Sequence, residues 1–178
     1  MRKLFVPLAF TYIGLVVLAN WLASKYVASV GFGYVAPAGV FAIGAVLVLR
    51  DWIQQLVGLK VTMAMVYVAG LASWAIGTTA GWTSLQKIAV ASVVAFTISE
   101  TVEALVFTPV RRRNLSLGVA LSSTVGNALD SFVFLALAFG SQQFFVGQFI
   151  GKTWMVLAGT LLTLMRRRIL PAPAPATT

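Results

Sequence analysis

The chain has 178 residues, of which 60% are hydrophobic and only 10% are charged. Soluble globular domains carry about 25% charged residues, so this composition excludes an ordinary soluble domain. Cysteine and histidine are both absent from the sequence, which removes disulfides, thiolate and imidazole chemistry and the usual zinc sites. We therefore expect no cofactor and no metal. The net charge of +9 does not indicate nucleic-acid binding, because the basic residues lie between apolar runs and act as topology signals.

Apolar segments long enough to cross a bilayer as helices recur along the chain. They predict an all-α polytopic membrane protein, with six transmembrane helices in one bundle and one domain over residues 1–168. The predicted spans are residues 4–22, 34–57, 61–76, 88–109, 116–139 and 144–165. A glycine-rich connection at residues 31–33 leads to the second span. Residues 169–178, rich in proline and alanine, are predicted to form a disordered tail.

Positive charges are distributed unequally between the two sides that six spans define. One side holds nine basic residues, and the other holds only Lys25 and Lys87. The nine are Arg2, Lys3, Lys60 and the arginines at 111–113 and 166–168. Because loops rich in lysine and arginine stay in the cytoplasm, both termini are predicted to be cytoplasmic.

Two of the four acidic residues, Glu100 and Glu103, lie within the fourth apolar run. Their spacing of three places them on one helix face, about one turn apart. A carboxylate inside a membrane costs a few kcal/mol, and such residues usually serve a function. No spare cation of matching depth is apparent for either residue, which favours solute binding or reversible protonation over a structural role.

Helix rise, about 1.5 Å per residue, gives the depth of the other polar groups below the outer ends of their helices. Asp130 comes out roughly 13 Å deep and Lys152 roughly 12 Å, so these residues of consecutive antiparallel helices can pair. Such a pair is either a structural link between the helices or part of a relay. Asn127 and Glu100 both come out about 18 Å deep, near the bilayer midplane.

Glu103 and Asp51 lie closer to the cytoplasmic side, so polar groups follow one another across the membrane as a solute pathway or proton relay requires. Asp51 has a second interpretation, as half of a neighbouring Arg50–Asp51 pair at a hydrated helix end. Asn20, near the outer end of the first helix, is predicted to be an interface residue and not a ligand.

Five local motifs occur in a fixed order between about residues 15 and 165. They are Asn20 with Lys25, Arg50-Asp51 with Gln55 and Gly58, Ser99-Glu100 with Glu103, Leu121-Ser-Ser with Asp130 and Phe134, and Lys152. Together they resemble the queuosine-precursor transporters, also called the putative vitamin uptake transporter (VUT) family. Gln55 stands where that family has a glutamate, and Glu100 and Glu103 stand where it has glutamine and aspartate.

The resemblance implies a multi-pass protein of the bacterial inner (plasma) membrane that takes up 7-deazaguanine queuosine precursors such as preQ0 or preQ1. Its partners would be this small molecule and the lipid bilayer. A carboxylate can accept from both adjacent N–H groups of such a solute, and Glu100 is the first choice for that role. Glu103 or Asp51 would carry a proton. The full set of predicted substrate-binding residues is Glu100, Glu103, Asp51, Asn127, Gln148 and Trp154, the last by stacking on the ring.

Other classes of protein share parts of this pattern. The six-helix plan also serves as the substrate-binding subunit of ATP-driven vitamin importers of the energy-coupling-factor type. Such subunits carry small residues four apart on the first helix, as Ala19 and Ala23 are, but these lie at the predicted outer end. A membrane enzyme would have only carboxylates for its chemistry, so we expect a transporter and no enzyme. The sequence leaves open the coupling ion and whether the chain forms a homo-oligomer.

Overall fold

The computed structural model describes residues 2–110 and 115–169, which form six helices and one β-hairpin. The helices are α1 (Arg2–Lys25), α2 (Gly39–Val57), α3 (Leu59–Thr79), α4 (Thr83–Val110), α5 (Leu115–Phe139) and α6 (Phe145–Ile169). The hairpin consists of β1 (Val27–Gly31) and β2 (Tyr34–Pro37). Of the predicted tail at 169–178, only Ile169 is described, and it ends α6. The arginines at 111–113 lie outside the described residues.

Within the described residues, four helices are long and apolar enough to cross a membrane. The four segments are Phe5–Lys25, Leu59–Thr79, Thr83–Glu103 and Leu121–Phe139. Large apolar side chains such as Phe10, Leu71 and Leu105 are exposed on the outside of the helices, as expected of a surface that faces lipid. The chain is thus a mostly helical, multi-pass membrane protein. The number of six spans and the cytoplasmic position of both termini stay predictions.

The segment between α1 and α2 is an antiparallel hairpin, so the prediction of an all-α fold is wrong here. The second helix begins at Gly39 and not at the predicted residue 34. Valine and tyrosine favour strands, and Pro37 holds the residue before it in an extended conformation. The chain reverses at residues 31–33, whose φ angles are 95°, 53° and 77°. Two of these three residues are glycines, which adopt positive φ at little cost.

A single glycine, Gly58, separates α2 from α3. Its φ of 82° ends α2, and its N–H donates to the carbonyl of Gln54 at 2.8 Å. The hydroxyl of Thr62 in turn donates to the Gly58 carbonyl at 3.0 Å. Because α2 continues without interruption to Val57, it holds Arg50 within the helix bundle.

Apolar contacts join the helices into one bundle. Helix α1 packs against α2, α3 and α4, while α5 packs along α4, and α6 packs against α2 and α5. One apolar cluster, which includes Tyr12 and Ile53, joins α1, α2 and α3. A second cluster, which includes Ala95 and Leu135, joins α4 and α5.

The hairpin lies against α6 at two glycines. A Cβ added at Gly147 would collide with the carbonyl oxygen of Val35 in β2. A Cβ at Gly151 would lie 2.8 Å from Val40 and 3.1 Å from Val30. These glycines allow the strands to approach α6 closely, and this contact holds β2 at the edge of the interior.

Candidate functional site

A cavity of about 70 Å³ lies inside the bundle, lined by residues of all six helices and of β2. Most of its wall is apolar, with Phe96 and Phe134 as its large aromatic side chains. The polar residues of the lining are Tyr12, Asn20, Ser92, Asp130, Gln148 and Lys152. An apolar enclosure into which a few polar groups converge is the usual form of a small-molecule site. We refer to it below as the central cavity.

Asn20 of α1 connects three helices on the wall of the central cavity. Its side chain is buried, with 2% exposed. The amide nitrogen donates to the hydroxyl of Ser73 in α3 at 3.1 Å, and the amide oxygen accepts from the hydroxyl of Ser92 in α4 at 2.8 Å. Both ends of this amide are therefore satisfied within the protein, and its structural effect is to fix α1 relative to α3 and α4.

Asp130 of α5 and Lys152 of α6 form an ion pair at the central cavity. The ammonium group of Lys152 donates to Asp130 Oδ2 and, at 3.1 Å, to the hydroxyl of Ser131. Lys152 is buried, whereas 22% of the Asp130 side chain is exposed. Since buried charges require partners, this arrangement accounts for a lysine inside an apolar bundle.

Gln148 is a polar residue of the cavity lining whose amide oxygen is unpaired among the described residues. Its side chain is only 4% exposed, and it lies one turn before Lys152 on α6. The amide oxygen Oε1 is buried and has no hydrogen-bond partner among the described residues. Buried amide oxygens in native proteins are rarely unpaired, so this group requires a specific explanation.

Glu100 of α4 contacts Arg50 of α2. The carboxylate of Glu100 therefore has a cationic partner that sequence reasoning did not find. Arg50 Nη1 donates to Glu100 Oε1, and 13% and 19% of the two side chains are exposed. The expectation that no cation lies at the depth of Glu100 is therefore wrong. The guanidinium group also lies 5.4 Å from the ring centre of Phe96, a favourable cation–π distance.

Two aromatic residues lie between this second ion pair and the central cavity. Tyr12 and Phe96 both line the cavity, and Tyr12 is close enough to Arg50 and Glu100 to interact with both charges. Glu100 itself is not part of the cavity lining. The structure thus places the predicted ligand Glu100 behind the cavity wall.

Glu103 and Asn127 lie at helix contacts outside the cavity lining. The hydroxyl of Ser123 on α5 donates to Glu103 Oε1 at 3.3 Å, so Glu103 is directed towards α5 while Glu100 is directed towards α2. The amide nitrogen of Asn127 donates to the hydroxyl of Thr153 at 3.4 Å. Its amide oxygen, like that of Gln148, is buried without a partner in the described part of the chain.

Trp154 stacks on a residue of the hairpin. Its ring lies 6.3 Å from that of Phe32, with 16° between the two planes, and 47% of the Trp154 side chain is exposed. The tryptophan is not among the residues that line the central cavity. In this structure its stacking partner is therefore the turn of the hairpin.

Two remaining predictions concern Asp51 and metal binding. Asp51 belongs to α2 by its backbone, but its side chain lies outside what the structure describes. Within the described residues, no group of three or more His, Cys, Asp or Glu side chains could hold a metal ion.

Sequence reasoning did not assign Tyr12, Ser73 and Ser92 to the site. A serine in a helix can satisfy its hydroxyl with a carbonyl of its own helix, so the sequence alone gives no signal that Ser92 faces another helix. Asn20 carries a stronger signal, because an amide in an apolar run requires an external partner. The prediction of an interface residue at the outer end of the first helix did not anticipate the burial of Asn20 on the cavity wall.

The fold and the central cavity define a class: multi-pass membrane proteins that can enclose a small molecule between their helices. Within that class, the family model described as putative vitamin uptake transporter matches residues 37–166. The chain belongs to this family, which confirms the resemblance found in its motifs. Membership indicates a membrane transporter for a small molecule and favours this function over an enzyme. Comparisons with curated proteins and with solved structures gave no match.

Proposed function

We propose that this protein takes up a small planar solute across the bacterial inner membrane, and that the solute is a 7-deazaguanine precursor of queuosine. Family membership supports uptake of a small molecule, and the sequence motifs support this solute class. The cavity of about 70 Å³ is small compared with sites for drug-sized ligands. The helices must therefore separate to some extent as the solute enters.

The observation that carries the proposal is the unpaired amide oxygen of Gln148 in the cavity wall. An unsatisfied buried acceptor costs about 1–3 kcal/mol, which a hydrogen bond from the solute would offset. A 7-deazaguanine presents a ring N–H directly beside a carbonyl group. The primary amide of Gln148 has one acceptor and two donors, so it can form two hydrogen bonds with that edge.

Other lining residues complement the rest of such a solute. The carboxylate of Asp130 has more acceptor sites than Lys152 requires, so it can also accept from the exocyclic amine of the solute. Phe96 and Phe134 line the same cavity and offer apolar surface for the ring faces. In this proposal Gln148 determines the orientation of the solute and Asp130 holds its amine.

Residues outside the cavity lining keep roles that are still predictions. The set consists of Glu100, Glu103, Asp51, Asn127 and Trp154. Glu100 would meet the solute only after the solute had passed Tyr12 and Phe96, so we propose it as a later contact on the path to the cytoplasm. Proton linkage through Glu103 or Asp51 stays a prediction from the sequence.

The alternative function is that of a substrate-binding subunit that requires an ATP-driven partner. The sequence feature that favours it is the pair of small residues Ala19 and Ala23. Ala19 and Ala23 are buried, with 1% and 8% exposed. A Cβ added at Gly39 of α2 would collide with the carbonyl oxygen of Ala19 and lie 2.9 Å from the Ala23 side chain. These two alanines therefore allow close packing of α2 against α1, and they do not form a free surface for a partner.

Uptake of a labelled 7-deazaguanine into cells that lack their own uptake route tests the proposal. We expect Gln148→Leu to reduce uptake about tenfold or more, because the solute loses the hydrogen bonds that the amide supplies. The matched control is Gln142→Leu, since Gln142 also has a buried, unpaired amide oxygen but lies between α5 and α6. Uptake by Gln148→Leu at the rate of the control variant would overturn the proposal.

A further inference from the structure

We propose that a groove between α3 and α4 binds an acyl chain of an anionic phospholipid, and that Lys87 holds the phosphate of that lipid. The site lies on the outer surface of the bundle and not in the central cavity. It therefore goes beyond the proposed function, and it does not depend on the identity of the solute.

The groove has a volume of about 450 Å³ and lies where α3 packs along α4. Its lining residues are glycine, alanine, valine, leucine and aromatic residues. They recur at the spacing of one helix face, as Leu71 and Trp74 do on α3 and Val90 and Val94 do on α4. Leu71 and Val90 are 66% and 53% exposed. The groove is therefore an open apolar surface that the described residues leave uncovered.

Gly70 and Val93 belong to the lining of the groove and also to that of the central cavity. A Cβ added at Gly70 would lie 2.1 Å from Cγ2 of Val93, so the absence of a side chain at Gly70 leaves room for the valine. The wall between the cavity and the groove is thus a single layer of residues at this point. An acyl chain in the groove would cover this wall from outside.

The position of the groove along its helices matches one leaflet of a bilayer. Both helices are long and apolar enough to cross a membrane. By helix rise, the lining extends from about 8 Å below the end of α3, at Trp74, to about 18 Å below it, at Tyr67. Half of the hydrocarbon core is about 15 Å thick. The groove therefore follows the acyl chains of the leaflet at the α3–α4 connection and ends near the midplane.

Lys87 places a positive charge at the shallow end of the groove. It is exposed, and Val90 and Val94 follow it at spacings of three and seven, so the three residues share one face of α4. The ion pairs among the described residues use other cations, Arg50 and Lys152. The charge of Lys87 therefore has no counter-ion in the described part of the chain.

The surroundings of Lys87 favour an anion. Residues 77–90 contain no acidic residue. Lys25 lies at the same end of the bundle, with its ammonium group 5.2 Å from the ring centre of Trp82. A lipid with an acyl chain in the groove would place its headgroup among these positive charges, and basic residues at the membrane surface attract anionic lipids. Charge and apolar surface thus point to the same occupant.

Native mass spectrometry of the purified, delipidated protein measures the headgroup preference. The probes are phosphatidylglycerol and phosphatidylcholine with identical acyl chains. One lysine at the membrane surface favours an anionic lipid by about fivefold in affinity, so we expect this preference in the wild-type protein. Lys87→Gln should remove it. The matched control is Lys60→Gln, because Lys60 is also exposed but lies at the other end of α3. A preference that Lys87→Gln keeps, or that Lys60→Gln loses to the same extent, would overturn the inference.

A bulky side chain in the groove tests the site of the acyl chain. Val90→Trp should weaken binding of both lipids by at least about tenfold, because it takes the space of several methylene groups. The matched control is Val6→Trp, since Val6 is 55% exposed and lies on α1. Equal lipid binding by the two variants would contradict the inference. If Val90→Trp instead dissociates a dimer and leaves lipid binding unchanged, the groove is an interface between two copies of the chain and the inference is wrong.

Fluorescence quenching in reconstituted bilayers tests the same site without filling the groove. Bromine atoms on an acyl chain quench the tryptophans that they contact, and Trp74 lines the groove. In phosphatidylcholine bilayers, a small fraction of brominated phosphatidylglycerol should quench wild-type fluorescence more than the same fraction of brominated phosphatidylcholine. Trp74→Phe should remove this excess quenching.

The matched control for Trp74→Phe is Trp154→Phe, because the two tryptophan side chains are 46% and 47% exposed. Trp154→Phe should preserve the excess quenching by phosphatidylglycerol. Equal quenching by the two brominated lipids in the wild-type protein would reject the site, as would an excess that depends on Trp154 and not on Trp74.

Discussion

Arg50 on α2 and Glu100 on α4 form an ion pair inside the helix bundle, although they are fifty residues apart in the sequence. Neither helix precedes or follows the other directly, so the pair connects elements that no short loop holds together. It lies behind Tyr12 and Phe96, whose side chains form part of the cavity wall. The position of α2 relative to α4 on that side of the cavity therefore depends on this contact.

The first prediction concerns the stability that this ion pair provides. Glu100→Gln removes the counter-charge of Arg50 in a partly buried position, so we expect a lower melting temperature. The double variant Arg50→Met/Glu100→Gln should recover part of the loss, because it also removes the guanidinium group that has lost its contact with Glu100. The coupling free energy should be about 1–3 kcal/mol in thermal unfolding of the purified protein. If the separate effects of Glu100→Gln and Arg50→Met add up to the effect of the double variant, the two residues do not interact.

Uptake by the same Glu100→Gln variant tests its role as a later solute contact. The comparison is made on variants that insert and fold to the wild-type level. Loss of a charge-assisted contact should reduce affinity about ten- to a hundredfold. Uptake of 7-deazaguanines by Glu100→Gln at the wild-type rate and affinity would reject Glu100 as a ligand and leave it with the structural role alone.

The second prediction concerns Asp130 and Lys152. Because Lys152 is buried, Asp130→Asn leaves an ammonium group without a counter-ion inside the protein. Removing one partner of a buried pair costs about 3–5 kcal/mol, whereas replacing both partners is often nearly neutral. We therefore expect Asp130→Asn to reduce expression and melting temperature more than Asp130→Asn/Lys152→Gln does. A double variant less stable than either single variant would contradict the prediction.

The contact between Asp130 and Lys152 shows what a single sequence can predict about such a site. The two residues belong to consecutive helices with a short connection between them, so the rise of each helix is enough to estimate their relative depth. The structure has them in contact. Arg50 and Glu100 belong to helices that are not consecutive, and helix rise gives no relative position for them. A long arginine side chain further weakens any estimate based on backbone depth.

The hairpin explains other differences between expectation and structure. Its strands are apolar and continue directly into α2, so the composition of residues 27–37 does not separate them from a membrane helix. In the folded hairpin, Phe32 stacks on Trp154. Trp154 therefore has a stacking partner within the protein and does not line the cavity, where the sequence predicts that it stacks on the solute. Pro37 and the glycines at 31 and 33 indicate a turn, but they do not predict the strands on either side of it.

The third prediction tests the membrane topology. Both termini are predicted to be cytoplasmic, which places the connection between α5 and α6 outside the cell and the start of α3 inside. In this cysteine-free chain, Gln143→Cys should react with a membrane-impermeant thiol reagent on intact cells. Lys60→Cys, at the start of α3, should react only after the membrane is permeabilised. The reverse labelling pattern would show that the orientation derived from the basic residues is wrong.

The fourth prediction concerns the contact of the hairpin with α6. Gly147→Ala places a methyl group where the carbonyl oxygen of Val35 lies, so β2 must move away from α6. Overpacking of this kind costs about 1–3 kcal/mol, and the movement should also displace Pro37, which lines the central cavity. We therefore expect both a lower melting temperature and reduced uptake.

The matched control is Gly14→Ala in α1, where nothing lies within 4 Å of the added methyl group. Alanine is the better helix former by about 1 kcal/mol, so this control should be neutral or slightly stabilising. Equal melting temperatures and uptake rates for the two variants would show that the hairpin does not depend on close contact with α6.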